Sequence, residues 1–208
     1  MIIEDVIKLA KYSELASIAI KDNVEAIVAF MNLGMLELHT RFPIKIEEHL
    51  VSLETGVTFY SMPANFMYAT SAYGEVDRYA VDGPVPLGIN DDNDSYSVFF
   101  SSWDTLQVTE AVTGDSVSVI YVAKPTRITE DMAEDGTSEL DLPDSLVDAL
   151  LSYIGYRGHL GVRSDAQSEN NAHLQRFERN CKKALELGVA FPSDTMHMEE
   201  RVKLRGFA

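Results

Sequence analysis

The hydrophobic period of this chain of 208 residues changes twice, and that double change limits the folds open to it more than any other feature. Near both ends apolar residues recur at three- and four-residue spacing, which marks amphipathic helix, and between them they alternate, which marks strand. Toward the C-terminal end, Leu146, Val147, Leu150, Leu151 and Ile154 form one helical stripe, and Leu174, Phe177, Cys181, Ala184 and Leu185 form a second. Pro143 suits a first helical position because its φ is already fixed, and Asp144 puts negative charge where the helix dipole favours it. Gly155, Gly158 and Gly161 are expected to loosen the end of the first helix. Ser164 with Gln167 makes a capping box for the second, Lys182 and Lys183 lie in its last turns, and Gly188 is the expected left-handed stop. Burying ten such side chains contributes on the order of 15 to 30 kcal/mol gross, most of it offset by chain entropy. Neither helix is expected to stand alone.

The N-terminal stretch supplies matching stripes. Ile3, Val6, Ile7 and Ala10 predict a short helix, and residues 13–20 a second short helix or a structured loop. Asp22 with Glu25 reads as a capping box opening a helix striped by Val24, Ile27, Val28, Met31, Met35 and Leu38, which Pro43 stops. From 44 to 128 the period is two. Ile44, Ile46 and Leu50 alternate with charged residues, and Glu54-Thr55-Gly56 reads as a hairpin turn into residues 57–61. Residues 105–113 and 116–123 flank Gly114-Asp115, which suits a tight hairpin; Val117, Val119 and Tyr121 face one way, Ile120 and Val122 the other. Asp82-Gly83, Pro84 with Pro86, and residues 90–94 are loop signals.

The prediction is an α+β fold, a helical bundle built from N- and C-terminal helices with an inserted antiparallel β-sheet domain of about five to seven strands. Its parts are N-terminal helices at 1–43, a β-rich insertion at 44–128, an acidic linker at 129–141, a helical hairpin at 142–188 and an extended tail at 189–208. The alternative is that the helical stripes belong to unrelated helices packed on the central sheet.

Charge narrows the function. The net charge is −16, and Glu130, Asp131, Glu134, Asp135, Glu139, Asp141, Asp144 and Asp148 occur with no Lys or Arg between residues 128 and 148. Such a field repels phosphate and disfavours groove-binding contact with nucleic acid; its bland reading is a solvated loop and helix start. The EF-hand spacing of calcium ligands is missing: counted from Asp131, position three is Ala133 and position twelve Leu142, and counted from Asn90 the turn glycine is replaced by Ser95. A single cysteine, Cys181, excludes an internal disulfide, and its place on a helical stripe predicts a buried small side chain. The five histidines, His39, His49, His159, His173 and His197, show no metal-ligand spacing, and His173 reads as a structural, partly exposed or hydrogen-bonded residue. No phosphate loop, nucleophile elbow or secretory signal is present, and no stretch approaches the roughly 18 apolar residues of a membrane span. The expectation is a soluble, intracellularly made protein that is not an enzyme, with no cofactor and no membrane contact.

The order of several weak motifs resembles a known family. Asn32-Leu33-Gly34 with Glu37-Leu38 and Arg41-Phe42-Pro43 closes the N-terminal helix, followed by Tyr60, Met62-Pro63 and Asn65-Phe66. Ile120-Tyr121 with Lys124-Pro125, Leu142-Pro143, residues 146–151, Tyr153, Tyr156-Arg157, Phe177, Cys181 and Leu187-Gly188 complete the series. Together they resemble the portal-binding adaptor, or head-to-tail connector, proteins of tailed bacteriophages. Asn65 departs from the pattern, which leads one to expect an acidic residue there.

The resemblance implies a virion protein at the head-tail interface, forming a ring, usually of twelve copies, beneath the portal. Such a ring extends the DNA channel and presents a platform for tail or nozzle proteins, with helices packing subunit to subunit and the β-rich part toward the tail or periphery. Genomic DNA would pass without sequence-specific binding, the acidic field from 128 to 148 facing the channel or its rim. Residues 201–207 alternate basic with apolar side chains, as suits an extended peptide on a partner's surface, and the resemblance assigns the tail to portal docking through Phe191, Met196, Met198, Arg201, Lys203, Arg205 and Phe207. A stopper or tail-completion ring that does not touch the portal is the nearest other reading, and an unrelated ligand-binding or enzymatic domain the next.

Overall fold

A computed structural model describes residues 1–75, 84–110, 112, 115–160 and 167–187, with backbone alone at 75 and 167–171. Five α-helices and seven strands form among them, the mixed α+β class that the periods predict. The chain divides into two compact units. One holds the described residues within Met1–Ile44 and Pro125–Phe191, the other those within Lys45–Lys124.

The first unit is helical. Helix α1 (Ile3–Tyr12) buries Ile3, Val6, Ile7 and Ala10, the stripe its spacing predicts. Residues 13–18 lead without a helix into a 3-10 turn at Ala19–Asp22. Helix α2 (Val24–Arg41) is capped by Asn23, whose Oδ1 accepts from the Ala26 N–H at 2.9 Å. The cap is therefore Asn23 rather than the Asp22–Glu25 box, because Asp22 is used up closing the preceding turn. Pro43 ends α2 as expected: Phe42 before it is extended, at φ −127° and ψ 131°.

The remaining helices are α3 (Glu130–Glu134), α4 (Asp144–His159) and α5 (Gln167–Glu186). Helix α4 packs on α5, α2 and α1, burying Leu146, Val147, Leu150, Leu151 and Ile154. Its glycines do not loosen its end. Gly155 and Gly158 lie inside the helix, where a Cβ on Gly155 would come within 2.6 Å of the His173 ring and one on Gly158 within 2.4 Å of Leu15. They are close-approach positions. On α5, Phe177, Cys181 and Ala184 are buried and Leu174 is half-buried, but Leu185 is 54% exposed. At 100° per residue, Leu185 lies a step off the stripe that Ala184 continues. Gly161, Ser164 and Gly188 fall outside the described residues.

The second unit is one sheet of β1 (Ile46–Ser52), β2 (Phe59–Ser61), β3 (Phe66–Glu75), β4 (Val85–Ile89), β5 (Ser97–Ser102), β6 (Thr105–Val108) and β7 (Ser116–Ala123), in the order β1-β7-β3-β4-β5-β6-β2. Neither expected hairpin forms. Strand β1 pairs with β7 and β2 with β6, so the chain around Glu54-Thr55-Gly56, with Gly56 at φ +82°, joins opposite edges of the sheet. Residues 53–58 span at most about 20 Å fully extended, so the sheet has to curl until its edges approach. His49 on β1 accordingly hydrogen-bonds the backbone of Ser61 on β2. Strand β7 pairs with β1 and β3 instead of β6. The residues predicted to face opposite ways, Val117, Val119 and Tyr121 against Ile120 and Val122, are all buried, so β7 is too apolar for one arm of an exposed hairpin and takes an interior place with a partner on each side. Gly114 and Asp82-Gly83 fall outside the described residues.

Three further expectations fail. Strands β4 and β5 run parallel, so the sheet is mixed. Pro86 stands in β4 opposite Tyr73, not in a loop; the β5 pairing starts only at Gly88, so the missing N–H of Pro86 leaves no ladder bond unmade on that side. On β1, Leu50 is exposed and Val51 buried, the reverse of the predicted alternation.

Candidate functional site

The eight carboxylates singled out in the sequence are all exposed, and they lie on folded structure more than on a bare linker. Glu130 and Asp131 open α3, which Thr129 caps by accepting from the Met132 N–H. Asp135 closes the next turn, accepting from the N–H groups of Thr137 and Ser138 at 2.8 Å each, and the Ser138 hydroxyl with these donors holds its carboxyl below the usual range. Glu139 pairs in a β-bridge with Ile2, and Asp144 begins α4 with its carboxylate 3.8 Å from the N-terminal amine. The segment is thus strapped along the start of α1, where Glu4 and Asp5 add acidic charge that sequence reasoning did not count. Three helices, α1, α3 and α4, each carry an acid in the first turn, so part of the field stabilises helix starts, at about 0.3–1 kcal/mol apiece. The tail residues Phe191, Met196, Met198, Arg201, Lys203, Arg205 and Phe207 lie outside the described residues.

The titratable groups that meet elsewhere were not foreseen. His159 on α4 and His173 on α5 stack at 4.9 Å, and His173 Nδ1 lies 2.8 Å from Glu14 Oε2. Arg176 Nη1 reaches the same carboxylate at 2.9 Å, and His159 Nε2 lies 3.1 Å from the Glu14 carbonyl. The hydrogen bond from His173, then the Arg176 charge, hold the Glu14 carboxyl below its ordinary value against the opposing effect of burial. These groups line a cleft of about 400 Å³ with Ser13, Ser17 and Ala172. Sequence spacing missed it because Glu14, His159 and the His173–Arg176 pair come from three different parts of the chain. Among the described residues no three His, Cys, Asp or Glu side chains gather as metal ligands. The pocket reads as a joint pinning residues 13–18 to the α4–α5 pair.

The motif residues prove to be joints as well. Asn32 on α2 accepts from the Ile128 N–H at 2.8 Å and donates to the Ile128 carbonyl at 2.9 Å. A Cβ on Gly34 would lie 2.6 Å from Leu150 and 3.1 Å from the Tyr153 ring, so α2 and α4 touch there. Arg41 pairs with Glu37 at 2.7 Å and bidentately with Glu178 at 2.7 and 3.0 Å, and its guanidinium sits 4.7 Å over the Phe177 ring. Nearby, burial pushes the Cys181 thiol up to about 11, so Cys181 is a packed, unreactive side chain as expected. In the sheet unit the Tyr60 hydroxyl accepts from the Glu54 N–H and donates to the Val57 carbonyl, fixing the inter-edge turn.

The sequence pattern of the SU10 adaptor protein family matches residues 3–191. The chain belongs to that family. It is a family of phage structural adaptors, so this adaptor is a structural component of a phage particle, acts on other head-tail proteins and is not an enzyme. No curated protein matches the chain. The matched span runs through both units and takes in Phe191, whereas Met196 and the tail residues after it lie beyond it. Among the described residues no helix of the adaptor is long and apolar enough to cross a membrane.

Proposed function

We propose that the adaptor docks beneath the portal as a ring, extends the DNA channel and carries the platform on which the tail is built. The observation that carries this reading is the adaptor family match from residue 3 to residue 191. The helices from both ends of the chain act as a bundle whose outward faces make the ring contacts, and on α2 the exposed stripe of Ala29, Leu33, Leu36 and Thr40 carries no charge to desolvate. The carboxylates from Glu130 to Asp148 face the channel or its rim, where they offer passing phosphate no counter-charge. The tail, through Phe191, Met196, Met198, Arg201, Lys203, Arg205 and Phe207, grips the portal. The test is to mix the purified chain with portal and image the product by electron microscopy. Twelve-fold rings stacked on portal are expected, and loss of attachment after deletion of residues 190–208; a truncated chain that still assembles on portal overturns the tail assignment, and a chain that forms no ring overturns the adaptor reading.

A further inference from the structure

The connection between β4 and β5 is the least ordinary backbone of the sheet unit. Gly88 pairs with Ser97 and Ile89 with Val98 in parallel, yet residues 90–96 alone join the two strands, where parallel neighbours usually need a crossover of about a dozen residues or more. The return is closed by Asn90, at φ +52°, whose N–H donates to the Val98 carbonyl at 2.9 Å and whose Oδ1 accepts from the Phe100 N–H at 2.8 Å. Asp91 Oδ1 accepts from the Asn93 N–H at 3.0 Å and Asp94 Oδ1 from the Tyr96 N–H at 2.9 Å. Each carboxylate thus commits one oxygen to the loop and keeps the other.

Ser97 lies on the same side of Gly88 as one of these spare oxygens, Asp94 Oδ2. It is fully buried, and its hydroxyl has no hydrogen-bond partner among the described residues. That hydroxyl is aimed at Gly88: a Cβ there would stand 2.2 Å from Ser97 Oγ, 3.2 Å from Asp94 Oδ2 and 3.4 Å from Asp91 Cβ. A buried hydroxyl left unsatisfied costs the fold its desolvation penalty with nothing in return. Three aspartates within four residues add like-charge repulsion, and the sequence holds no Lys or Arg from residue 79 to residue 123 to relieve it. A cation is what the place lacks.

We propose that this loop binds a calcium ion, held by the side-chain oxygens of Asp91 and Asp94 with the Ser97 hydroxyl and neutral loop oxygens completing the set. Two carboxylates with neutral oxygens suit a hard ion of flexible coordination; zinc prefers nitrogen or sulfur ligands, and magnesium demands a stricter octahedron. So low a ligand charge puts the dissociation constant at about 10⁻⁴ to 10⁻³ M. The site is not an EF-hand, whose spacing the loop lacks, and the inference is independent of the adaptor reading. Bound there, the ion pins the tight return and with it the β4–β5 pairing.

The test uses the full chain. Terbium luminescence excited through the aromatic side chains, Tyr96 being in the loop, is titrated and then displaced with calcium, and thermal unfolding is followed in calcium, magnesium and sodium chlorides at matched ionic strength. Expected are displacement in the submillimolar to millimolar range, a rise in Tm with calcium beyond that with magnesium, and at least tenfold weaker calcium binding in D94N and in D91N. E130Q/E134Q, in the other acidic segment, should bind as wild type. Far-UV circular dichroism identifies which aspartate variants are folded and therefore read. A calcium effect no larger than that of magnesium, or a folded D94N or D91N that binds as tightly as wild type, means general screening of an acidic protein and overturns the site.

Discussion

Gly158 separates two accounts of α4. If the glycines near its end only loosen the helix, replacing one by alanine recovers about 1 kcal/mol of helix propensity and stabilises the chain. Packing predicts the opposite. A Cβ on Gly158 would stand 2.4 Å from Leu15 Cδ2 and 3.3 Å from Ile18 Cδ1, and Leu15 is fully buried, so its methyl group cannot swing into solvent. Overpacking of this kind costs about 1–3 kcal/mol, which outweighs the propensity gain. Gly158→Ala is therefore expected to lose about 1 kcal/mol net, a fall of roughly 2–4 °C in Tm for a chain of this length. The assay is thermal unfolding of four proteins: wild type, Gly158→Ala, Leu15→Ala and the double variant. Leu15→Ala alone costs about 2–5 kcal/mol through the cavity it leaves. In that cavity the added methyl has room, so the second substitution should become neutral or favourable, giving a coupling of about 1–3 kcal/mol between the two positions. Additive effects, or a stabilised Gly158→Ala, refute the close approach.

Three further comparisons probe the joints. Phe177→Ala should cost about 3–5 kcal/mol in chemical denaturation, since it removes a fully buried ring, its edge contact with Tyr153 and the face under Arg41, whereas Leu185→Ala should stay within about 0.5 kcal/mol; similar losses would mean that α5 turns a different face to the core. The Glu14 carboxyl is depressed in the fold, so its contribution is complete above the ordinary carboxylate value of 4.5 and is lost as pH falls through the lower folded value. The stability gap between wild type and Glu14→Gln should accordingly shrink as pH is lowered from neutral through 4.5 and below, and a constant gap would contradict the pairing with His173. Asn65→Asp places a carboxylate against Glu47, whose Oε2 now accepts from the Asn65 amide at 2.8 Å, so it should destabilise by about 1–3 kcal/mol at neutral pH and less in mild acid, where the pair can share a proton; urea midpoints under the two conditions decide it.

What the sequence revealed and what it hid divide along a physical line. The stripes of α1, α2, α4 and most of α5 were legible because a helix buries its own periodic face, and the pattern is local. Leu185 was misplaced because it stands four residues after Cys181, a spacing that fits the stripe, while its step of about 100° from Ala184 carries it out of the contact. Both hairpins were misread for a different reason. Glu54-Thr55-Gly56 and Gly114-Asp115 carry turn chemistry, but turn chemistry states that the chain bends, not which strand it meets afterwards. Curling the sheet brings β1 and β2 to facing edges, and the unbroken apolar run of β7 gives it a neighbour on each side. The stacked histidines were beyond reach for a related reason, since Glu14, His159 and His173 share no element whose spacing could announce them.

The departure at Asn65 shows how residues that carry a family resemblance can be functional without being reactive. An acidic residue was expected there, yet Asn65 donates to Glu47 while the Tyr121 hydroxyl lies within reach of both, at 2.8 Å from the Glu47 carboxylate and 3.1 Å from Asn65 Oδ1. A second carboxylate in that triangle would leave two anions at hydrogen-bond distance with only one phenol between them, and burial, with Glu47 beside it, already pushes the Tyr121 hydroxyl up to about 12. The amide is the side chain that satisfies Glu47 and Tyr121 together. Asn32, Gly34 and Arg41 follow the same logic, each making contacts that only its own shape or donor set allows. The family pattern in this chain thus specifies how its elements are fastened. An adaptor needs a frame that keeps its outward surfaces in place, and those surfaces, free of such fastening constraints, are where its choice of partners can vary.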